Sequence, residues 1–254
     1  MFEYLPSPNK IPQEEWTKPE LDRGEKFPDY IVGLRARVKS PEQEEIYVHL
    51  ERAAEDLKKR LAEAYPEPWT FSPDKLHDVL RIVENELIGI AYEARQLTDH
   101  YGGFGVGTCV IGLRNVQRSE NPWRIVFDAN TKPTTVMGEI RKHCSELHAM
   151  DRIDPDMQEM GIDEDKMDKA LAFFVVGQAR GDDHSEIKQQ ITLTPCKLCR
   201  DRLWKMSQQE NPVISEDMPV VTANANNLAL RKSLPVEYLH DFHKERRPNT
   251  AELD

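Results

Sequence analysis

The sequence predicts an α/β layered domain over residues 76–245, preceded by a helical extension over 41–75. Three observations carry this. Two long amphipathic helical stretches come first. Short β-rich runs bounded by Gly, Asn and Pro then alternate with further helical ones. One run, LAFFVVG at 171–177, is apolar throughout, as a strand buried on both faces must be.

Residues 1–40 hold Pro6, Pro8, Pro12, Pro19 and Pro28 among scattered charges and show no period, so they read as an extended, partly ordered arm. Ser40-Pro41-Glu42 is a helix start, with Ser as cap, Pro in the first turn and an acid at the positive end of the dipole. Ile46, Leu50, Ala53, Leu57, Leu61 and Ala64 follow at helical spacing up to Tyr65-Pro66. This stripe either folds back on the domain or faces a second subunit. Ser72-Pro73-Asp74 repeats the start signal, and a wide apolar face from Leu76 to Leu97 ends at His100-Tyr101-Gly102-Gly103.

Strands are expected at 106–113 and 123–127, then a single helix over 134–150 with Met137, Ile140, Cys144 and Leu147 on one stripe. The buried strand at 171–177 leads to a polar loop at 178–185 and a strand at 187–193. A helix opened by Thr194-Pro195 runs to Met206. A strand at 219–222, a helix at 235–243 and a tail at 246–254 complete the chain.

Composition narrows the partners. At 254 residues, with 39% hydrophobic and 31% charged side chains, the chain is polar but globular. The 45 acidic against 34 basic residues give a net charge of −11, which argues against nucleic acid or anionic membrane as the main partner. No stretch approaches the roughly 20 apolar residues of a membrane helix. The opening MFEYLPSPNKIPQEEW lacks the apolar run of a signal peptide, so a cytoplasmic protein with reduced thiols is expected.

Only four cysteines are present: Cys109, Cys144, Cys196 and Cys199. In a reducing compartment, Cys196-x-x-Cys199 with a distant third cysteine reads as metal or redox chemistry. A catalytic zinc takes three protein ligands and keeps one position open, and Cys144, Cys196 and Cys199 supply three. Glu146, two residues from Cys144, is placed to move protons at that open position without being a ligand. A ligand-x-Glu followed by Pro-Cys-x-x-Cys is the signature of zinc deaminases. Cys109 is expected to be buried and inert, and His143 and His148 to be structural or exposed.

Beyond the metal motif, the chain resembles the cytidine deaminase family over residues 77–245. Tyr101-Gly102-Gly103-Phe104-Gly105-Val106-Gly107 is similar to the family's Phe-x-Val-Gly segment, and Asn130 falls where the family has an Asn that binds ribose. Pro195-Cys196-Lys197-Leu198-Cys199-Arg200 resembles its Pro-Cys-x-x-Cys-Arg. Leu234-Pro235-Val236-Glu237-Tyr238-Leu239 resembles the opening of its last helix.

The resemblance implies a three-layer fold, a central mixed sheet flanked by helices, and hydrolytic deamination of an aminopyrimidine nucleoside. It also implies a bound Zn2+ and a homo-oligomer, dimer or tetramer. Phe104 would pack on the pyrimidine, Asn130 hold a ribose hydroxyl, and Thr194 offer its carbonyl to the exocyclic amine. Ser145, Pro195 and Arg200 would support the site from behind. Two positions depart from the pattern. Lys132 replaces the Glu of the family's Asn-x-Glu, which points to a phosphate or another acidic group and hence to a nucleotide or a modified nucleoside. Leu147 stands where some relatives with three cysteines have Arg, leaving Arg200 to offset the thiolates. Two other readings are the same chemistry on a specialised heterocycle, and a catalytically silent interaction protein stabilised by zinc.

Overall fold

Serine and proline start the first two helices as the sequence predicts. The structure, a computed structural model, describes residues 34, 38–98, 105–115, 120–136, 139–153, 166–177 and 194–241, and the side chains of these except at 132–143 and 241. Helix α1 spans Pro41–Ala64, its first turn capped by Ser40 Oγ, which accepts from the Gln43 N–H at 3.2 Å. Helix α2 spans Pro73–Ala94, with Ser72 Oγ accepting from the Lys75 N–H at 3.3 Å, and runs into a 3-10 turn at Arg95–Leu97.

Between the helical parts lie strands β1 (Val106–Leu113), β2 (Trp123–Ala129), β3 (Thr131–Val136), β4 (Glu139–His143), β5 (Lys169–Gly177), β6 (Pro219–Asn224) and β7 (Asn227–Pro235). Five of them form a mixed sheet in the order β2-β1-β5-β6-β7, in which only β5 and β6 are parallel. Helix α4 (Lys197–Ser207) lies in the crossover that a parallel pair requires. Helices α3 (Ser145–Ile153) and α5 (Val236–Asp241) are the other described α-helices that cover the sheet.

Two apolar clusters show the layering. On one face, Leu50, Leu57, Val83 and Leu87 of α1 and α2 pack with Ile111, Phe174 and Val221 of the sheet. On the other, Met150, Ile153, Leu203 and Leu239 of α3, α4 and α5 pack with Val110, Phe173 and Val220. Phe173 and Phe174 thus face opposite layers, and β5 is buried on both sides as its unbroken apolar run predicts. The α1 stripe folds back on its own domain, where Tyr47 meets Phe127 with ring centroids 5.8 Å apart. It no longer argues for a subunit contact.

Helix α2 lies close against β1, and a glycine permits this. A Cβ at Gly107 would stand 1.9 Å from the Ala91 carbonyl oxygen and 2.6 Å from the Arg95 nitrogen, both backbone atoms. Gly107→Ala is therefore expected to cost about 3 kcal/mol, read as a lower urea midpoint with an unchanged m-value. A midpoint equal to that of the unaltered chain would show the helix free to move away.

The expected single helix over 134–150 is replaced by a hairpin and a shorter helix. Strands β3 and β4 pair antiparallel, with Thr135 opposite Ile140 and Val136 opposite Glu139, and α3 begins only at Ser145. Thr131, Thr134, Thr135 and Val136 are β-branched, and their strand preference outweighs an apolar spacing that also fits a helix. Strand β7 has no counterpart in the sequence reading. The expected loop at 178–185 and strand at 187–193 lie outside the described residues. No described helix is long and apolar enough to cross a membrane.

Candidate metal centre

Two helices begin at the same place. The Cys144 carbonyl accepts from the His148 N–H at 3.1 Å, and the Cys196 carbonyl from the Arg200 N–H at 3.0 Å. Each cysteine therefore occupies the cap position of its helix, α3 or α4, where N–H groups point outward and the dipole is positive. Cys144 lies just before its helix, not near the middle. Because α3 and α4 cover the same face of the sheet, it meets the other two thiols side by side and not from across the sheet. Cys199, one turn into α4, is fully buried.

The three sulfurs converge. Cys144 Sγ lies 3.7 Å from Cys196 Sγ, Cys196 Sγ lies 3.3 Å from Cys199 Sγ, and all three fall within 4.8 Å of one another. None is in a disulfide. A tetrahedral ion with metal–sulfur bonds of about 2.3 Å separates neighbouring sulfurs by about 3.8 Å, so the spacing fits a metal. Electrostatics agree. The Cys144 and Cys199 thiols, with the backbone N–H groups of Cys199 and Leu198, hold Cys196 down to about 2. The hydrogen bond to Cys196, with burial, pushes Cys144 up, and Cys199 rises against its two neighbours. Three thiolates held this close repel one another, and a bound cation would offset that repulsion.

Glu146 follows Cys144 by two residues and is buried at 4% exposure. Burial pushes its carboxyl up to about 7 against its own backbone N–H, with the nearby Cys196 charge adding to the rise. Its carboxylate meets the Cys199 thiol and accepts from Ser145 Oγ at 3.1 Å. Ser145 Oγ in turn accepts from Thr108 Oγ1 of β1 at 2.8 Å. A carboxylate beside a three-sulfur donor set, at a pKa suited to giving and taking protons near neutrality, is equipped for general acid–base work.

Comparison with known proteins gives distant likeness to solved structures alone. No family model matches the sequence, and no curated protein does. Among solved structures, the chain is similar to the 1.6 Å crystal structure of cytidine deaminase from Burkholderia pseudomallei, at 18% identity and a TM-score of 0.36. The match covers 61% of this chain and 94% of that one.

The other expected site residues fall into two groups. Pro195 and Arg200 are buried at the start of α4, and Arg200 donates to the Pro195 carbonyl at 2.5 Å. Burial holds the Arg200 guanidinium below its usual range, while the charges at Cys196, Asp201 and Cys199 pull it back up. Thr194 is exposed immediately before them. Asn130 closes β2, where its side-chain oxygen accepts from the Val106 N–H at 2.7 Å. Phe104 lies outside the described residues, and of Lys132 only the backbone, in β3, is described.

Sequence reasoning missed Thr108, whose signal was a lone hydroxyl between Val106 and Val110 on one face of an otherwise apolar strand. It also missed a buried polar cluster behind α3. There His148 Nδ1 lies 3.2 Å from the Ala129 carbonyl and 3.4 Å from Asp128 Oδ1, and Arg152 donates to the Phe127 carbonyl at 2.7 Å. His148 is thus structural, as expected. Cys109 is fully buried in the opposite cluster, and burial pushes its thiol up, as an inert core residue requires. The open depression lined by Glu44, Glu45, Val48, His49 and Arg52 belongs to α1, across the sheet from the cysteines, and has no part in this chemistry.

Proposed function

We propose that the chain is a zinc-dependent hydrolytic deaminase acting on an aminopyrimidine nucleoside or a close relative. The observation that carries this is the convergence of Cys144, Cys196 and Cys199 with the buried carboxylate of Glu146 against them. Three thiolates leave one position open on an ion that prefers four ligands, and sulfur donors favour zinc among the common divalent metals. A zinc ion held there would supply the Lewis acidity that makes water a nucleophile near neutral pH.

Glu146 then takes a proton from water as its oxygen bonds to the ring carbon bearing the amine. It returns the proton to the ring nitrogen, and a second transfer to the amine lets ammonia leave as the carbonyl forms. Overall, water replaces the amino group with oxygen, and no oxidant or reductant is needed. Arg200 offsets the thiolate charge at Cys196 and Cys199. On the resemblance of the motifs, Phe104 packs on the base, Asn130 holds the sugar and Thr194 offers its carbonyl to the departing amine.

A nucleotide substrate is the second reading, favoured by Lys132, whose ammonium can only donate and suits a phosphate. Zinc-loaded protein mixed with cytidine, deoxycytidine, their monophosphates and adenosine is expected to release ammonia from a pyrimidine member. Lys132→Ala should lower kcat/KM on a monophosphate at least about tenfold more than on the nucleoside. Fully metallated protein silent on every member would leave zinc in a purely structural role.

A further inference from the structure

The geometry points to Thr108 and Ser145 as positioning residues that aim the Glu146 carboxylate through a chain of two buried hydroxyls. This rests on Glu146 being the proton carrier. Thr108 Oγ1 donates to Ser145 Oγ at 2.8 Å, and Ser145 Oγ donates to Glu146 Oε2 at 3.1 Å. Both hydroxyl residues are fully buried, so water does not compete for either bond. The carboxylate end fixes the polarity. An ionised carboxylate only accepts, so Ser145 must donate to it, and its own oxygen is left to receive Thr108.

The chain also has a rigid anchor. Thr108 sits in β1, paired with Asp128 of β2 on one side and Val175 of β5 on the other. Its β-branched side chain has restricted χ1 freedom in a strand. Ser145 is the first residue of α3, directly between Cys144 and Glu146. Among the described residues, a long glutamate side chain would otherwise be held by its own backbone and the Cys199 thiol alone. The two hydroxyls tie one of its oxygens to an interior strand of the sheet, leaving the carboxylate turned toward the sulfurs.

An ordinary satisfied polar pair in the core would need no such endpoint, and that difference is testable. Thr108→Val keeps the shape and removes the first donor, and Ser145→Ala removes the second. Each is expected to lower kcat about tenfold or more, with KM within about twofold and zinc content unchanged. The double variant should be no slower than Ser145→Ala, because both act through one oxygen. Thr108→Ser should recover most of the loss. Thr222→Val, another buried threonine on β6, should leave kcat unchanged.

A second readout needs no substrate. In cobalt(II)-loaded protein the visible bands should shift in Thr108→Val and Ser145→Ala in the same direction as in Glu146→Gln, and stay put in Thr222→Val. Protein silent on every substrate would defeat the deaminase reading, while these spectra would still decide whether the hydroxyls govern the carboxylate. Unshifted bands in Thr108→Val would overturn the proposal. So would kcat losses that simply add in the double variant.

Discussion

Glu146→Gln is expected to keep its metal and lose its reaction, with kcat falling about 10³-fold or more while metal content stays at one ion per chain. Glutamine has nearly the same shape and still accepts from Ser145 Oγ, so the hydroxyl chain and the fold around it survive. What it cannot do is take up a proton and hand it on. The proposed step depends on a group that changes protonation near neutrality, and burial raises this carboxyl to about 7. Substitution also spares the protein from burying an ionised carboxylate, so thermal stability should not fall. Ammonia release and metal analysis on one preparation separate the two effects. Retention of more than a tenth of the activity would show that some other group carries the protons.

How much of this was legible beforehand depends on how local each signal is. The starts of α1 and α2 were legible because Ser40 and Ser72 cap their own neighbours, three residues away. Strand β5 was legible because its two faces are both apolar in sequence as they are both covered in space. The stretch from 131 to 150 was not. Met137, Ile140, Cys144 and Leu147 fit a helix by spacing, but the hairpin is decided by which residues meet across it, and one strand's pattern does not contain its partner. Strand β7 was hidden for a related reason. It is an edge strand, largely exposed, and it follows its neighbour β6 in register without a clean alternation of its own.

The site shows the same division. Its three cysteines were legible as a group because Pro-Cys-x-x-Cys and Cys-x-Glu are short-range patterns, each set by a single helix start. The parts that arrive from elsewhere in the fold were not. Thr108 reaches Glu146 across 37 residues of chain to Ser145, and Asp128 meets His148 from the neighbouring strand. Misplacing Cys144 inside a helix left the grouping of the three cysteines intact and the geometry wrong. The correction matters chemically, since a cysteine at a cap position has free N–H groups beside it and one in mid-helix has none.

That geometry makes the cysteines the most sensitive positions in the chain. Cys199→Ser should weaken metal binding at least about 100-fold, since loss even of an outer-shell partner costs 10–100-fold. A hydroxyl is not a thiolate at neutral pH, and a buried serine beside Cys196 has no charge to offer the ion. A metal that binds the folded chain and not the unfolded one adds to stability, so its loss would also be a loss of stability. At about 1,000 times the dissociation constant, bound ligand contributes about 4 kcal/mol, and a chelator should remove that much from the unaltered protein and almost none from the variant. Cys109→Ala is the control, since it deletes an equally buried thiol from the opposite cluster and should cost packing while leaving metal stoichiometry intact. If Cys199→Ser bound metal as tightly as Cys109→Ala, the three sulfurs would be a reduced thiol cluster and not a metal centre. The proton chemistry assigned to Glu146 would then have nothing to act beside.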